Sequence, residues 1–430
     1  MSQPGWILLA AFLAVFMQAG FAMITTGFCR AKNAAHTVAM NFMIYPIGIL
    51  GYWVCGFALQ TGSRRFFFGS DLGDAAVVTQ FLFQMAAMGV AATIPTGALA
   101  ERWKWSAFLV YGFFTSMLAY PLFASWVWSG GWLSQLGVRL GLGHGHVDFA
   151  GSSVVHMAGG VAGLAGAMVL GPRLGKFTRA GKPVAMPGHH IPMAVVGTFV
   201  LAFGWFGLNT GRTLSGGELR LAAVAADTVL ASAAGAVAAM VVMTVRFGKP
   251  DPSMMANGML AGLVAIAAPC AFVSGPFAVL IGAVAGVIVV FSVFFVEGRL
   301  RLDDPVGAIS VHGVSGLWGV VSLGLFADGS YGDGWNGVPG TVRGLLYGDP
   351  GQLVAQCAGA LACALFVFAS SWAFFKVVDA LVGNRVPAEA ELAGLDLPQM
   401  GALGYPEFNL SSGALAGWTA EPAPTFVSKE

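Results

Sequence analysis

The sequence predicts an all-α polytopic membrane protein with about eleven transmembrane helices. Three observations predict it. Only 10% of the 430 residues are charged, against about 25% in a soluble domain. Apolar residues make up 57% of the chain. They gather in runs of about twenty, the length that spans roughly 30 Å of hydrocarbon. Glycine, at 61 residues, is about twice as common as in average proteins, which suits helices that pack closely in a bilayer. A disordered chain and a soluble multidomain enzyme are excluded. A net charge of +1 offers no basic patch for nucleic acid. A transmembrane barrel would alternate apolar and polar residues instead of running apolar.

The apolar runs fall at 6–28, 38–60, 75–99, 105–128, 148–171, 191–211, 221–246, 254–273, 275–297, 306–328 and 352–381. The first has no basic stretch before Trp6 and no clear small-residue cleavage site, so it reads as a span and not as a signal peptide. The eighth and ninth are separated only by Ser274, Gly275 and Pro276. Lys and Arg set the orientation. Fifteen of the 21 lie in the loops after odd-numbered helices or in the tail, so that side is expected to be cytoplasmic. The N-terminus is then outside and the C-terminus inside. The expected organisation is a transmembrane domain over 1–384 and a polar cytoplasmic tail over 385–430, too short for a catalytic domain. The five cysteines (Cys29, Cys55, Cys270, Cys357, Cys363) show no metal-ligand spacing and read as small buried hydrophobes.

An internal match divides the bundle. Residues 148–163 read DFAGSSVVHMAGGVAG, and residues 304–319 read DPVGAISVHGVSGLWG. Each places Asp eight residues before His (Asp148 and His156, Asp304 and His312), Gly five before it (Gly151, Gly307), and Gly four and seven after it (Gly160 and Gly163, Gly316 and Gly319). These segments open the fifth and tenth helices, which start on opposite sides by the charge count. The repeat is therefore inverted, five helices against five. Its halves are about 6–171 and 191–328, with 352–381 as an extra helix. Transporters often place their path at such a repeat interface.

Eight helical residues rise about 12 Å, so each His is expected near mid-membrane, approached from opposite faces. An ionisable group there is costly and is a functional candidate by default. A histidine bonded to a neighbouring helix is the structural alternative, and a two-histidine metal site lacks further ligands at matching depth. Imidazole suits proton handling, because its two nitrogens accept and donate in turn. Asp148 and Asp304 read first as helix caps. Asp304 has Pro305 expected just inside its helix. Asp148 could also hold the entrance negative.

The segments DFAGSSVVH, GALAERW, GWFGLNTG and DDPVGAISVHG resemble signatures of the ammonium transporter family (Amt/Mep/Rh), as does the tail segment NRVPAEAELAGLDLPQMGALGYPEF. The resemblance runs from MQAGFAMITTGFCRAKN through nearly the whole chain. It implies a homotrimer in the cell (inner) membrane, with one pore per subunit carrying ammonium, ammonia or a similar small amine. It implies a tail that meets a PII-type regulator. His156 and His312 match the paired pore histidines, and Asp148 matches the acidic residue that organises the outer site. Trp128 matches the tryptophan whose ring meets the cation at the outer mouth; taken alone it reads as an interface-belt residue.

Three positions depart from the family pattern. Its two stacked gate phenylalanines fall on Ala87 and Leu208, and its outer-site serine falls on Arg212. Losing both rings removes a dry gate. Arg212 adds a fixed positive charge where a cation would land. Pairing with Asp227 could neutralise it, or it could turn to solvent and headgroups. Three functions follow: an ammonium or ammonia transporter with a loosened gate, a carrier of another small amine or a neutral solute, or a non-transporting sensor. No nucleophile–base pair, phosphate loop or metal cluster points to an enzyme, and no cofactor is expected. His144, His146, His189 and His190 lie in polar loops and read as solvated. No ligand role can be assigned to the Gly-rich segment 328–351.

Overall fold

The computed structural model describes residues 3–63, 66–67, 73–213 and 217–406. Among these, ten helices are long and apolar enough to cross a membrane: α1 Pro4–Phe28, α2 Ala31–Thr61, α3 Ala75–Ala98, α4 Trp105–Trp128, α5 Ser152–Leu170, α6 Ile191–Thr210, α7 Glu218–Phe247, α9 Gly275–Gly298, α10 Ile309–Phe326 and α11 Pro350–Leu381. A shorter apolar helix, α8 Pro252–Ile266, completes the set. Large side chains such as Phe12, Phe16, Phe199, Phe203, Phe291, Leu361 and Leu365 stand exposed on the outer faces. So much apolar surface is intolerable in water and natural against lipid.

Local chemistry sets the starts. Asp74 accepts from the backbone N–H groups of Ala76 and Val77, Asp251 from Ser253, and Asp349 from Gln352. Each satisfies donors that a helix cannot pair within itself. The eighth run was expected to reach 273, but α8 ends at Ile266. The carbonyls that would continue outward are drawn sideways. Ala267 O accepts from Ala150 N at 2.9 Å, Ala268 O from Phe149 N at 3.3 Å, and Val264 O from Ser152 Oγ at 2.7 Å. Pro269 then cannot supply an amide to a helix. The second helix instead starts earlier than 38, because residues 31–33 wind into it.

The two halves interlock. α1 lies along α3 of its own half and along α6 of the other, while α7 lies along α8 and α9. The halves cross where α5 meets α10, and there the duplicated glycines are spent. A Cβ on Gly160 would sit 2.2 Å from Gly313 N, and one on Gly316 would sit 2.5 Å from Ser152 O. Gly151 and Gly307 have φ of 112° and 79°, a backbone form that favours glycine, just before each half-helix turns in. The first turns of α5 and α10 are π-helical, over Ser152–Met157 and Ile309–Val314, so each His lies on a widened turn.

Cysteine placement divides. Cys29, Cys270 and Cys363 are buried as read from the sequence, Cys55 is half-buried, and Cys357 is exposed on α11.

At the end of the bundle that carries Glu101 and Asp303, buried charges join both halves to the tail. Glu101 pairs with Arg30 at 2.5 Å and Arg173 at 3.1 Å, and Arg173 binds Asp303 at 2.8 Å. Burial raises the Asp303 carboxyl, but the Arg102 charge and the Arg173 hydrogen bonds outweigh it and hold it below the usual carboxylate range. The tail lies across this face. Arg385 pairs with Glu391 at 2.8 Å, and Lys32 Nζ donates to the carbonyls of Glu391 and Leu392. Asp396 accepts from His36 N at 2.9 Å, and Gln399 Oε1 accepts from Trp105 N at 3.0 Å. The rest of the tail, 407–430, lies outside the described residues.

Candidate conduction site

The two half-helices bring His156 and His312 together. Their Nδ1 atoms lie 3.2 Å apart, with the rings near parallel at 20° and centroids 5.3 Å apart. Both side chains are buried. An Nδ1–Nδ1 contact at hydrogen-bond distance needs one donor and one acceptor. Two imidazolium ions would offer two donors and no acceptor, so at least one ring is neutral. If both are neutral, their tautomers must differ. One Nε2 is then bare and accepts, while the other carries hydrogen and donates.

The surroundings fix both rings. Trp205 stacks on His156 at 4.7 Å between centroids and 18°, and Phe21 lies 5.9 Å from His312. The Nε2 atom of His156 is buried with no hydrogen-bond partner. A buried polar atom without a partner is costly and asks for a solute or water. On the other side, His312 lines a cavity with Phe21, Leu201, Val311, Thr93 and Asn257. The cavity wall is therefore mostly apolar, with a few hydroxyl and amide groups.

Toward the Trp128 end, Asp148 is a cap. Its Oδ1 accepts from Gly151 N at 2.8 Å and Ser152 N at 2.9 Å. Its Oδ2 accepts from Ser153 N at 2.7 Å, Val154 N at 2.9 Å and Ser153 Oγ at 2.7 Å. Five donors leave the carboxylate little capacity for a solute. Asp304 does the same for α10, accepting from Gly307 N at 3.1 Å and Ile309 N at 2.6 Å. Pro305 precedes α10 instead of sitting within it, because the π turn delays the helix to Ile309.

Trp128 and Arg212 meet. The Arg212 guanidinium lies 4.3 Å from the centroid of the Trp128 ring, and its Nε donates to Phe149 O at 3.0 Å. The Trp128 indole N–H donates to Asp148 O at 2.7 Å, which locks the ring. Neither neighbourhood considered for Arg212 holds. It is half-buried instead of turned fully to solvent, because the ring and the carbonyl draw it inward. It does not pair with Asp227, whose charged neighbour is Arg220. Burial lowers the Arg212 pKa to about 10, against the charge of Asp148, which raises it. The guanidinium is thus charged at neutral pH.

Ala87 and Leu208 are both fully buried, so the missing rings leave no solvent-exposed gap at these positions. Two loop histidines need correction. His144 and His146 are buried, not solvated: His144 Nε2 contacts Gly340 O and His146 Nε2 contacts Ser153 Oγ, each at 2.9 Å. The Gly-rich segment covers His144, because Trp335 packs on Phe149 and Phe272 and Asn336 donates to His144 O, whereas the His146 ring packs against Gly359 of α11. His189 bonds Cys29 O and Tyr405, and His190 caps α6 through Met193 N. Sequence reasoning missed Trp205. The signal was present, since Trp205 stands three residues before Leu208 in GWFGLNTG.

A hydrogen-bonded histidine pair, buried where two spanning helices cross in a polytopic bundle, defines a membrane channel or transporter. The chain belongs to the ammonium transporter family, whose model matches residues 5–405. The ammonium transporter Amt2 of Archaeoglobus fulgidus is 46% identical over 413 residues, covering 94% of this chain and 88% of that one. The ammonium transporter Amt1 of Haloferax mediterranei is 39% identical, covering 95% and 80%. Among solved structures, a sensor Amt protein superposes with a TM-score of 0.85 at 31% identity, covering 93% of this chain and 98% of that one. Mep2 of Candida albicans gives 0.80 at 27% identity, covering 90% and 87%.

Proposed function

We propose that this protein conducts ammonia along a path that passes the His156–His312 pair. The observation that carries the proposal is the 3.2 Å contact between the two Nδ1 atoms inside an apolar wall. An ammonium ion would lose its water there, at an idealised cost of order 20 kcal/mol and several in practice. Ammonia is neutral, donates three hydrogen bonds and accepts one. The pair offers it a bare nitrogen and an N–H in sequence, and also a route by which a proton could move between the rings. In this reading Trp128, Asp148 and Arg212 lie at the outer mouth. Ala87 and Leu208 stand, both buried, where the family pattern has stacked rings.

The N-terminus lies outside and the tail lies on the cytoplasmic face, as the Lys and Arg distribution requires. The exposed apolar helix faces suit a homotrimer in the cell membrane as well as lipid. The docked tail presents a surface for a PII-type regulator. A second reading, an ammonium sensor, draws on the likeness to the sensor Amt protein and on the altered mouth. Proteoliposomes with an internal pH dye separate the two. Rapid exposure to ammonium should alkalinise vesicles containing the native protein faster than protein-free ones. A native protein that matches protein-free vesicles leaves the sensor.

A further inference from the structure

We propose that Arg212 is a built-in charge filter, a resident cation that bars ammonium and similar cations from the mouth and admits neutral solutes. The proposal rests on the conduction reading above and deepens it. Three observations carry it. First, the guanidinium covers the face of Trp128 at 4.3 Å, so the ring surface that could attract a cation is taken. Second, its Nε holds the Phe149 carbonyl at 3.0 Å, which removes an acceptor a cation would use. Third, the Asp148 carboxylate is occupied by five hydrogen bonds from its own helix start, so it offers an arriving cation little free lone-pair capacity, and its charge already faces the resident guanidinium.

Geometry sets the filter above the histidines. Trp205, which stacks on His156, lies in the last two turns of α6, and Arg212 stands in the turn just past that helix end, against Trp128. In the conduction reading, a solute that enters beside Trp128 meets the guanidinium before it reaches His156. The C-terminal end of α6 carries partial negative charge and helps to hold it. At roughly 5 Å and an effective dielectric near 20, two unit positive charges repel enough to cut cation occupancy by about a hundredfold or more. Ammonia feels no such barrier. Arginines and oriented dipoles act against cations in other pores in this way.

The test compares native protein, Arg212→Ser, Arg212→Gln and Arg212→Lys in proteoliposomes. Internal alkalinisation reads ammonia, and current on a solid-supported membrane reads charge, both after an ammonium jump. The native protein and Arg212→Lys should alkalinise without measurable current. Arg212→Ser and Arg212→Gln should gain an ammonium current at least tenfold above native. The Gln variant retains a donor for Phe149 O and keeps the test valid if Ser disturbs the fold. A native current equal to that of the two neutral variants overturns the filter. A native protein that neither alkalinises nor passes current defeats the conduction reading alone. Calorimetric titration with methylammonium then reads the filter directly. Saturable binding to the neutral variants but not to native protein supports it, and equal binding or no binding to any variant overturns it.

Discussion

His156 and His312 share one hydrogen bond through their Nδ1 atoms, at 3.2 Å, although 156 residues separate them in the chain. That bond couples their tautomers, because a proton on one Nδ1 excludes a proton on the other. Removing one ring frees the tautomer of its partner and leaves a buried nitrogen unpaired. His156→Ala should therefore disturb the path as much as removing both rings does. A net hydrogen bond contributes about 1 kcal/mol, so the loss of ordered donors and acceptors should slow ammonia by roughly five- to tenfold. Stopped-flow alkalinisation checks it.

Asp148 should matter for folding before it matters for transport. Asp148→Asn keeps the shape but turns one acceptor oxygen into a donor that faces backbone N–H groups. Several of the five donors it now satisfies would be left unpaired. We expect a loss of about 2 kcal/mol or more and a clear fall in detergent melting temperature. An Asp148→Asn protein with native melting temperature would show that the cap is dispensable.

The crossing glycines set how closely the histidines approach. Gly160→Ala places a methyl 2.2 Å from Gly313 N, a backbone atom that cannot swing aside. Overpacking of this kind costs typically 1–3 kcal/mol. The half-helices should part and the histidine bond should lengthen. The expected result is lower stability together with slower alkalinisation, whereas the exposed Gly298→Ala, with open space around it, should change neither.

The ion network at the tail end gives a pH dependence with a definite sign. The Asp303 carboxyl is held below its ordinary value, so the pair contributes stability at every pH above about 4, where an unfolded carboxyl is ionised. That contribution is lost only as pH falls through the lower folded value. Asp303→Asn leaves the buried Arg173 and Arg102 short of a counter-charge, and breaking such a pair costs about 3–5 kcal/mol. The melting temperature of the native protein should exceed that of the variant by a constant margin from pH 5 to 8. The margin should shrink below pH 4. A margin that grows in acid would contradict the assignment.

Much of this fold was legible because the duplicated segment repeats meaning as well as letters. Asp148 and Asp304 cap, Gly151 and Gly307 turn, His156 and His312 meet, and Gly160 and Gly316 allow the crossing. Each role follows from one residue's chemistry at one spacing. What escaped the sequence depends on contacts between distant segments. The early end of α8 is made by residues 149–152, more than a hundred positions away. The burial of His144 is made by a loop nearly two hundred residues on, and that of His146 by Ser153 and by Gly359 of α11. The inward turn of Arg212 needs both Trp128 and Phe149 O in place, and no local pattern announces that. The π turns that carry both histidines likewise have no composition signal.

The most direct test of conduction along the histidine pair is a double-substitution cycle on one quantity, the initial alkalinisation rate of proteoliposomes at matched protein density. Native protein, His156→Ala, His312→Ala and the double variant are compared. A working pair predicts that each single substitution slows ammonia by roughly five- to tenfold and that the double variant is little slower than either single. Rates equal to native in both single variants, or losses that simply multiply in the double, would contradict a path that depends on the shared Nδ1 bond.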